Sequence, residues 1–231
     1  MYDIVFISYN EPDANIRYQK LCERYPNAKR VHGVKGIHNA HIAAAKKCST
    51  KMFWVIDGDA DLLPEFNLDH IVNDYDLDCV HVWRSENPIN ELIYDYGGVK
   101  LLPRRLTINV DTSTPDMTTS ISKGFKAMPH VSNITRFNTD PFNTWKSAFR
   151  ECVKLSSRTI KGQVDEETEK RLITWCSKGE EKEFGSFCVR GARSGSDFGI
   201  VNRDNISNLK LINDFDWLEQ RFAMEESLDT V

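Results

Sequence analysis

Phe53-Trp54-Val55-Ile56-Asp57-Gly58-Asp59-Ala60-Asp61 decides how the rest of the chain is read. Four consecutive apolar residues fit a short strand buried on both faces, as in a parallel sheet. Acidic residues follow at alternate positions. In open α/β sheets, ligands sit outside the carboxyl ends of the strands. Carboxylates there suit a hard divalent cation, and such a cation suits a phosphate. The run therefore points to a site for a metal and a nucleoside diphosphate.

Other readings of the same run are weaker. A calcium loop of the EF-hand type needs Gly at its sixth position and Glu at its twelfth. Counting from Asp57, those places hold Leu62 and Leu68. A phosphatase with an aspartyl nucleophile also uses a strand followed by Asp-x-Asp, but here Asp61-Leu62 follows instead of a small or hydroxylated residue. A solvated acidic turn after a strand is the bland alternative, since a lone Asp-x-Asp is a weak signal.

The neighbouring segments add order. Asp3 to Ser8 reads as a first strand, followed by the turn Tyr9-Asn10-Glu11-Pro12. Asp13 is placed to cap a helix through about Tyr25, with Tyr18, Leu21, Cys22 and Tyr25 on one face. Arg30 to Val34 reads as a second strand, His38 to Cys48 as an Ala-rich helix, and Cys79 to Trp83 as a later strand. This alternation predicts βαβ units and an α/β fold, with a mostly parallel central sheet flanked by helices. One domain over residues 1–231 is expected, with a nucleotide-binding half in 1–100 and an acceptor-binding half in 101–231.

Three of these elements together resemble family-2-like glycosyltransferases of the A-type (GT-A) fold. They are the strand Asp3–Ser8 with the turn to Glu11, the segment Gly36-Ile37-His38-Asn39-Ala40 with Ala43-Ala44-Ala45, and the Asp-x-Asp strand with Pro64 five residues past Asp59. The resemblance implies transfer of a sugar from a nucleoside diphosphate sugar to an acceptor hydroxyl. It implies Mn²⁺ or Mg²⁺ on Asp59, with Asp57 sharing the metal or facing the ribose. Tyr9, Asn10, Glu11, His38 and Asn39 would line the base and ribose. It further implies a general base just ahead of a helix in the later part of the chain. Asp140, before Pro141 and a helix with Trp145, Ala148, Phe149 and Cys152 on one face, fits that order. Glu151 is the fallback and Asp116 a weaker one. Asp140 is equally a plain helix cap with Pro at the first helical position.

Residues 191–199, Gly-Ala-Arg-Ser-Gly-Ser-Asp-Phe-Gly, read as a flexible polar loop. Such a loop could close over the diphosphate, with Arg193 offsetting leaving-group charge. Gly97-Gly98 permits a tight turn or a close backbone approach to a ligand. The aromatic residues beside it could stack on a sugar or base, with core packing as the default. Asn213 to Asp216 opens a C-terminal helix whose Phe215, Leu218 and Phe222 dock on the body, with fraying expected from Glu225 to Val231.

Composition agrees with a globular enzyme. The 231 residues are 40% apolar and 28% charged, with a formal net charge of −4. That charge gives no global attraction to nucleic acid. Basic clusters exist at Lys100, Arg104 and Arg105, and at Arg150, Lys154, Arg158 and Lys161. If helical, the second cluster shares a face and forms either a solvated stripe or a phosphate-contacting surface. The segments Tyr-x-Gly-Gly-Val-Lys and Trp-x-x-x-Phe-Arg-Glu look similar to phage-type glycosyltransferases. That group includes TET-associated enzymes that modify hydroxymethylated pyrimidines in DNA. Modified DNA is thus one implied acceptor; a surface glycan, a lipid-linked glycan or a protein are others.

The six cysteines form no Cys-x-x-Cys pair and read as buried free thiols. The scattered histidines match no zinc spacing. No stretch approaches the roughly 20 apolar residues of a membrane span. No leader is evident, so a cytoplasmic protein is expected, in the host cytoplasm if phage-encoded. Two other function classes stay open. A nucleotidyltransferase would have a Gly-rich, basic loop after its first strand, which Tyr9-Asn10-Glu11-Pro12 lacks. A non-catalytic nucleotide-sugar-binding module would keep the pocket without a metal or a base.

Overall fold

The computed structural model describes residues 1–94, 97–113, 116–160 and 162–228. Its contacts divide the chain into two compact units. The first comprises Met1–Asn87, Ile93–Thr112 and Met117–Arg136; the second comprises Pro88–Leu92, Ser113–Asp116 and Phe137–Val231.

The first unit is built on one sheet. Its strands are β1 (Asp3–Ser8), β2 (Lys29–His32), β3 (Met52–Asp57), β4 (Ala60–Leu62), β5 (Cys79–Glu86), β6 (Ile93–Tyr94), β7 (Val99–Pro103) and β8 (Gly124–Thr135). They run in the order β2-β1-β3-β7-β5-β8-β4, with β6 on β5. Pairing is parallel for β1–β2, β1–β3 and β5–β8, and antiparallel for β3–β7, β5–β7, β5–β6 and β4–β8. The sheet is therefore mixed, which corrects the expectation of a mostly parallel one. The sequence signal came from the βαβ half, from β1 to β3, where pairing is parallel; every antiparallel pair includes a strand that follows β3.

The helices explain the apolar run in β3. Successive strand side chains point to opposite faces. Trp54 and Ile56 enter one cluster with Ile4, Phe6 and Trp83, and Phe53 and Val55 enter another with Val5, Val80, Val82 and Leu102. Helix α1 (Ala14–Arg24) covers the first cluster through Leu21, Tyr18 and Cys22. Helix α2 (Ile37–Lys47) covers the second through Ala44 and Ala45. Asp13 stands at the N-cap of α1 without a side-chain cap bond and pairs with Arg17 instead, at 3.6 Å. Two short helices, α3 (Arg104–Ile108) and α4 (Met117–Ile121), complete this part.

The second unit is helical among the described residues. It holds α5 (Pro141–Ser156), α6 (Asp165–Ser177), α7 (Gly185–Val201), α8 (Ile206–Leu209) and α9 (Phe215–Leu228). Residues 191–199, expected as a loop, lie inside α7. Gly191, Gly195 and Gly199 recur every fourth residue and so share one helical face. A Cβ there would sit 2.4 Å from the Trp145 carbonyl oxygen, 2.3 Å from that of Phe149 and 2.1 Å from Ser156 Oγ. The glycines let α7 lie directly on the α5 backbone. They are not loop hinges.

The C-terminal helix docks as expected, with Leu218 fully buried and Phe215 and Phe222 packed beside it. Fraying from Glu225 is not seen: α9 runs to Leu228, and Glu225 accepts from Trp145 Nε1 at 2.9 Å and Ser194 Oγ at 2.5 Å. Asp229, Thr230 and Val231 lie outside the described residues.

Two expectations follow. Asp3 opens β1 and accepts from the Ser49 and Thr50 backbone N–H groups at 2.6 and 3.0 Å and from Lys29 Nζ at 2.6 Å. Burial alone would raise its pKa, but Lys29 and these donors outweigh it and hold the carboxyl far below the ordinary 3.8. The depressed value stabilises the fold above that pH, and the contribution is lost as pH falls through it. Asp3→Asn should flatten the acid limb of a plot of Tm against pH; an unchanged limb would contradict this. Gly195→Ala should lower Tm clearly while the exposed Asp197→Ala should not, because only the first pushes a methyl group into the α5 backbone.

Candidate functional site

The carboxyl ends of β2, β1 and β3 lie along one edge, because the three strands pair in parallel. Ile7 of β1 is opposite Asp57 of β3. The turn after β1 therefore carries Tyr9, Asn10 and Glu11 to the same edge as Asp57 and Asp59. The segment after β2 leads to the start of α2, with His38 and Asn39, at that edge as well. The structure thus brings together the residues expected from the sequence to bind the donor.

Glu11 folds back over Asp57-Gly58-Asp59. Its Oε2 accepts from the Tyr9 backbone N–H at 2.7 Å, and a Cβ at Gly58 would stand 2.7 Å from the same oxygen. Gly58 is small because the Glu11 carboxylate occupies the space above it. Arg17 Nη1 donates to the Gly58 carbonyl at 3.3 Å. Asn10 and Asn39 are exposed, and Asn39 donates to the Lys35 carbonyl at 3.2 Å.

Lys100 is the cation of the site. It lies on β7 opposite both Val55 and Val82, so it points to the α2 face of the sheet, as Asp57 does. Its side chain is 3% exposed and reaches Asp57 Oδ2 at 2.7 Å, whose own side chain is 33% exposed. It also donates to the Gly97 carbonyl. Gly97 has a φ of +87°, a conformation that suits glycine. Gly98 accepts from the Asp57 backbone N–H at 2.9 Å and leaves no room for a Cβ, which would meet the Asn133 side chain at 2.7 Å. The two glycines thus serve a turn and a close approach within the protein. Asp95 and Tyr96, in the same segment, lie outside the described residues.

The carboxylates respond to this crowding. Burial raises Asp57, and Glu11 adds to that, while Lys100 opposes it. Asp59 is pushed up to about 7 by burial and by the charges of Asp57 and Glu11. It is not hydrogen-bonded to Lys100; its backbone carbonyl accepts from the Arg136 N–H at 2.7 Å. Below the pair, His41 of α2 is buried and held neutral, pushed down to about 3 by burial and then by Lys100 and His38. Its Nδ1 faces the Ile37 carbonyl at 2.8 Å, and its Nε2 has no hydrogen-bond partner among the described residues.

A divalent ion fits the donor chemistry of this edge, since half-buried carboxylate oxygens are hard ligands. Among the described residues, no three His, Cys, Asp or Glu side chains are arranged to enclose a metal. Sites of the Mg²⁺ type use one or two carboxylates plus phosphates and water. Asp59 and Asp57 suffice for that pattern.

The remaining expected site residues lie in the second unit. Asp140 is the N-cap of α5: Oδ1 accepts from the Asn143 backbone N–H at 2.8 Å, and Oδ2 from Asn143 Nδ2 at 2.5 Å and Thr139 Oγ at 3.2 Å. Glu151 is 4% exposed and bridges Lys154 at 2.9 Å and Arg171 at 2.8 Å. Burial would raise its pKa, but the two cations outweigh it and keep the carboxylate charged. Asp116 precedes α4, and its like charge works against the two cations by raising Glu151. Arg193 lies on α7 and donates from Nε to the Cys176 carbonyl at 3.0 Å, so it is no lid residue.

The basic clusters are not free stripes. Helix α5 ends at Ser156, so Arg158 leaves its face, with a φ of +62°. Arg150 donates to the Ile212 carbonyl at 2.7 Å, Lys154 pairs with Glu151, and Arg158 pairs with Glu169 at 2.8 Å. Lys161 lies outside the described residues. Of the other cluster, Lys100 is buried, Arg104 donates to the Cys48 carbonyl at 2.7 Å, and Arg105 meets Asp78 at 3.2 Å.

Sequence reasoning missed Lys100 as a partner of Asp57, and it missed Arg136, whose Nε meets Asp61 Oδ2 at 3.4 Å. The only local hint for Lys100 was its place just after Gly97-Gly98. Arg136 reaches the site through the β4–β8 pairing, which nothing in the local sequence announces.

No protein-family model and no curated protein matches the chain. Among solved structures, the crystal structure of HddC from Yersinia pseudotuberculosis is similar at a TM-score of 0.38 and 12% identity, over 57% of this chain and 90% of that one. A likeness of that size carries no argument about fold or activity. No helix among the described residues is long and apolar enough to cross a membrane.

Lys100→Met should destabilise the protein by less than the roughly 3–5 kcal/mol of a fully enclosed pair, because Asp57 is partly exposed. Adding Asp57→Asn should recover most of the loss, since it removes the stranded charge. Denaturant melts of the two single variants and the double variant check this; additive losses would contradict it. Asp140→Ala should cost about 1 kcal/mol as a lost cap, and Asp140→Asn should restore it.

Proposed function

We propose that the chain is a metal-dependent glycosyltransferase that takes a sugar from a nucleoside diphosphate sugar and places it on an acceptor hydroxyl. The observation that carries this reading is the grouping of Glu11, Asp57 and Asp59 at the carboxyl edge of adjoining parallel strands, with Lys100 buried against Asp57. That edge is where α/β sheets bind nucleotides.

In this reading Asp59 is the main protein ligand of Mn²⁺ or Mg²⁺, and Asp57 assists. The ion, when bound, offsets charge on the departing diphosphate. Lys100 holds Asp57 in place and cancels part of its charge, so that the acids can share one edge. Tyr9 and Glu11 border the nucleotide on the β1 side, with Asn10 at the turn; His38 and Asn39 border it from α2. Gly58 keeps the backbone low beneath Glu11. The acceptor enters the proposal as a hydroxyl only. Arg150, Lys154 and Arg158, which would have favoured duplex DNA, have partners within the chain.

The test is an assay of nucleoside diphosphate release from a panel of donor sugars, with Mn²⁺, Mg²⁺ or a chelator. Release from at least one donor is expected, and the chelator should abolish it. Asp59→Asn should lose the release while keeping its melting temperature, because the change relieves a crowded carboxylate. Unchanged turnover by that variant would sink the reading. Release of pyrophosphate from a nucleoside triphosphate would point to nucleotidyl transfer instead.

A further inference from the structure

The register of β4 on β8 carries Arg136 to the acidic edge. The two strands pair antiparallel, with Ala60 opposite Thr135, Asp61 opposite Ile134 and Leu62 opposite Asn133. The pairing continues one step toward the β3–β4 turn, where the Arg136 backbone N–H donates to the Asp59 carbonyl at 2.7 Å. Arg136 is therefore the cross-strand neighbour of Asp59. Cross-strand neighbours share a face of the sheet, and so do residues two apart on one strand. Asp59, Asp61 and Arg136 thus stand on one face, and all three are half-buried. Ala60, Asn133 and Thr135 stand on the other face and are buried.

The Arg136 side chain leans diagonally, past Asp59, onto Asp61. One contact holds it there, from Nε to Oδ2 at 3.4 Å, which is longer than the roughly 3 Å of a good N–H···O bond. The Arg136 and Asp61 side chains are 38% and 39% exposed. Among the described residues, the two Nη groups of Arg136 have no hydrogen-bond partner. A solvated pair with one long contact holds its members weakly. Lys100 is the opposite case: it is buried, and its ammonium already serves Asp57 and the Gly97 carbonyl. Arg136 keeps most of its donors in reserve. A guanidinium presents them as a planar fork that matches two phosphate oxygens at once, with charge-assisted bonds.

We propose that Arg136 is a phosphate-binding residue of the donor site, with Asp61 as its resting partner. The inference rests on the nucleoside diphosphate site proposed above. The guanidinium leaves Asp61 and takes the diphosphate oxygens beside Asp59. It exchanges one long, solvated contact for a pair of charge-assisted bonds. Only the side chain moves, because the bond from the Arg136 N–H to the Asp59 carbonyl fixes the backbone beside the ligand. Asp61 competes with the ligand for the same cation, so it limits how tightly the diphosphate is held. Arg136 thereby meets the leaving group's charge from β8, across from the acids that follow β3.

The test is calorimetric binding, which needs no turnover. UDP, GDP, CDP, ADP and dTDP are titrated with Mn²⁺ into the wild-type protein, and the tightest of them is carried to the variants. Arg136→Met should raise its Kd about tenfold or more, as for a lost hydrogen bond to a charged group, and Arg136→Lys should recover part of the loss. The melting temperature should hardly move, because the broken pair is exposed. Mn²⁺ alone should bind Arg136→Met no more weakly than wild type, which separates a phosphate contact from a disturbed Asp59. Asp61→Asn should lower Kd several-fold, and that gain should vanish when Arg136→Met is added. An unchanged Kd in Arg136→Met, or a gain from Asp61→Asn that survives without Arg136, would overturn the inference and leave the donor site standing. If the wild-type protein binds none of these diphosphates, the donor site itself fails, and the inference with it.

Discussion

Three carboxylates can share one edge of this sheet because one ammonium is buried beside them. Lys100 enters from β7, the antiparallel neighbour of β3, and reaches Asp57 at 2.7 Å. Without it, burial and the neighbouring negative charge would act unopposed on Asp57 and Asp59. With it, Asp57 has a partner, while Asp59 has none of that kind and is pushed up to about 7. The pair also sets the state of its surroundings. Lys100 adds to burial in keeping His41 neutral, and its ammonium donates to the Gly97 carbonyl at the turn. The mixed sheet is thus tied to the chemistry: a parallel half supplies the acids, and an antiparallel strand supplies the counter-charge.

This division explains what was legible in the sequence. The strand–helix alternation from Asp3 to Asp57 could be read from local periodicity, because each element buries its own apolar stripe against a near neighbour in the chain. The clustering of Tyr9, Glu11, His38, Asp57 and Asp59 at one edge followed from that alternation. The part played by Lys100 did not follow, because it depends on β7 pairing with β3 across more than forty residues, and a single Lys after two glycines has many other uses. The same holds for β4 and β8, which meet across about seventy residues and bring Arg136 to Asp59.

The misread segment in α7 has a different cause. Gly, Ser, Arg and Asp together suggest a loop when judged by composition, and glycine is a poor helix former. Their spacing carried the opposite message. Glycines at every fourth position clear one face of a helix, and α5 lies against that face with its backbone at Trp145 and Phe149. Tertiary packing outweighed intrinsic propensity, and the place expected for a lid became the most closely packed contact of the second unit. The basic residues after Trp145 were misread for a related reason. Four-residue spacing marks a common face only while the helix lasts, and α5 ends before Arg158.

The central claim is that Asp59, beside the Lys100–Asp57 pair, is where a divalent ion joins a nucleoside diphosphate to this chain. The most direct measurement is a calorimetric titration of Mn²⁺ into the wild-type protein and into Asp59→Asn, with and without a saturating nucleoside diphosphate. We expect Mn²⁺ to bind the wild-type protein more tightly when the diphosphate is present, with little binding to the variant under either condition. Equal Mn²⁺ affinity in the two proteins would contradict the claim.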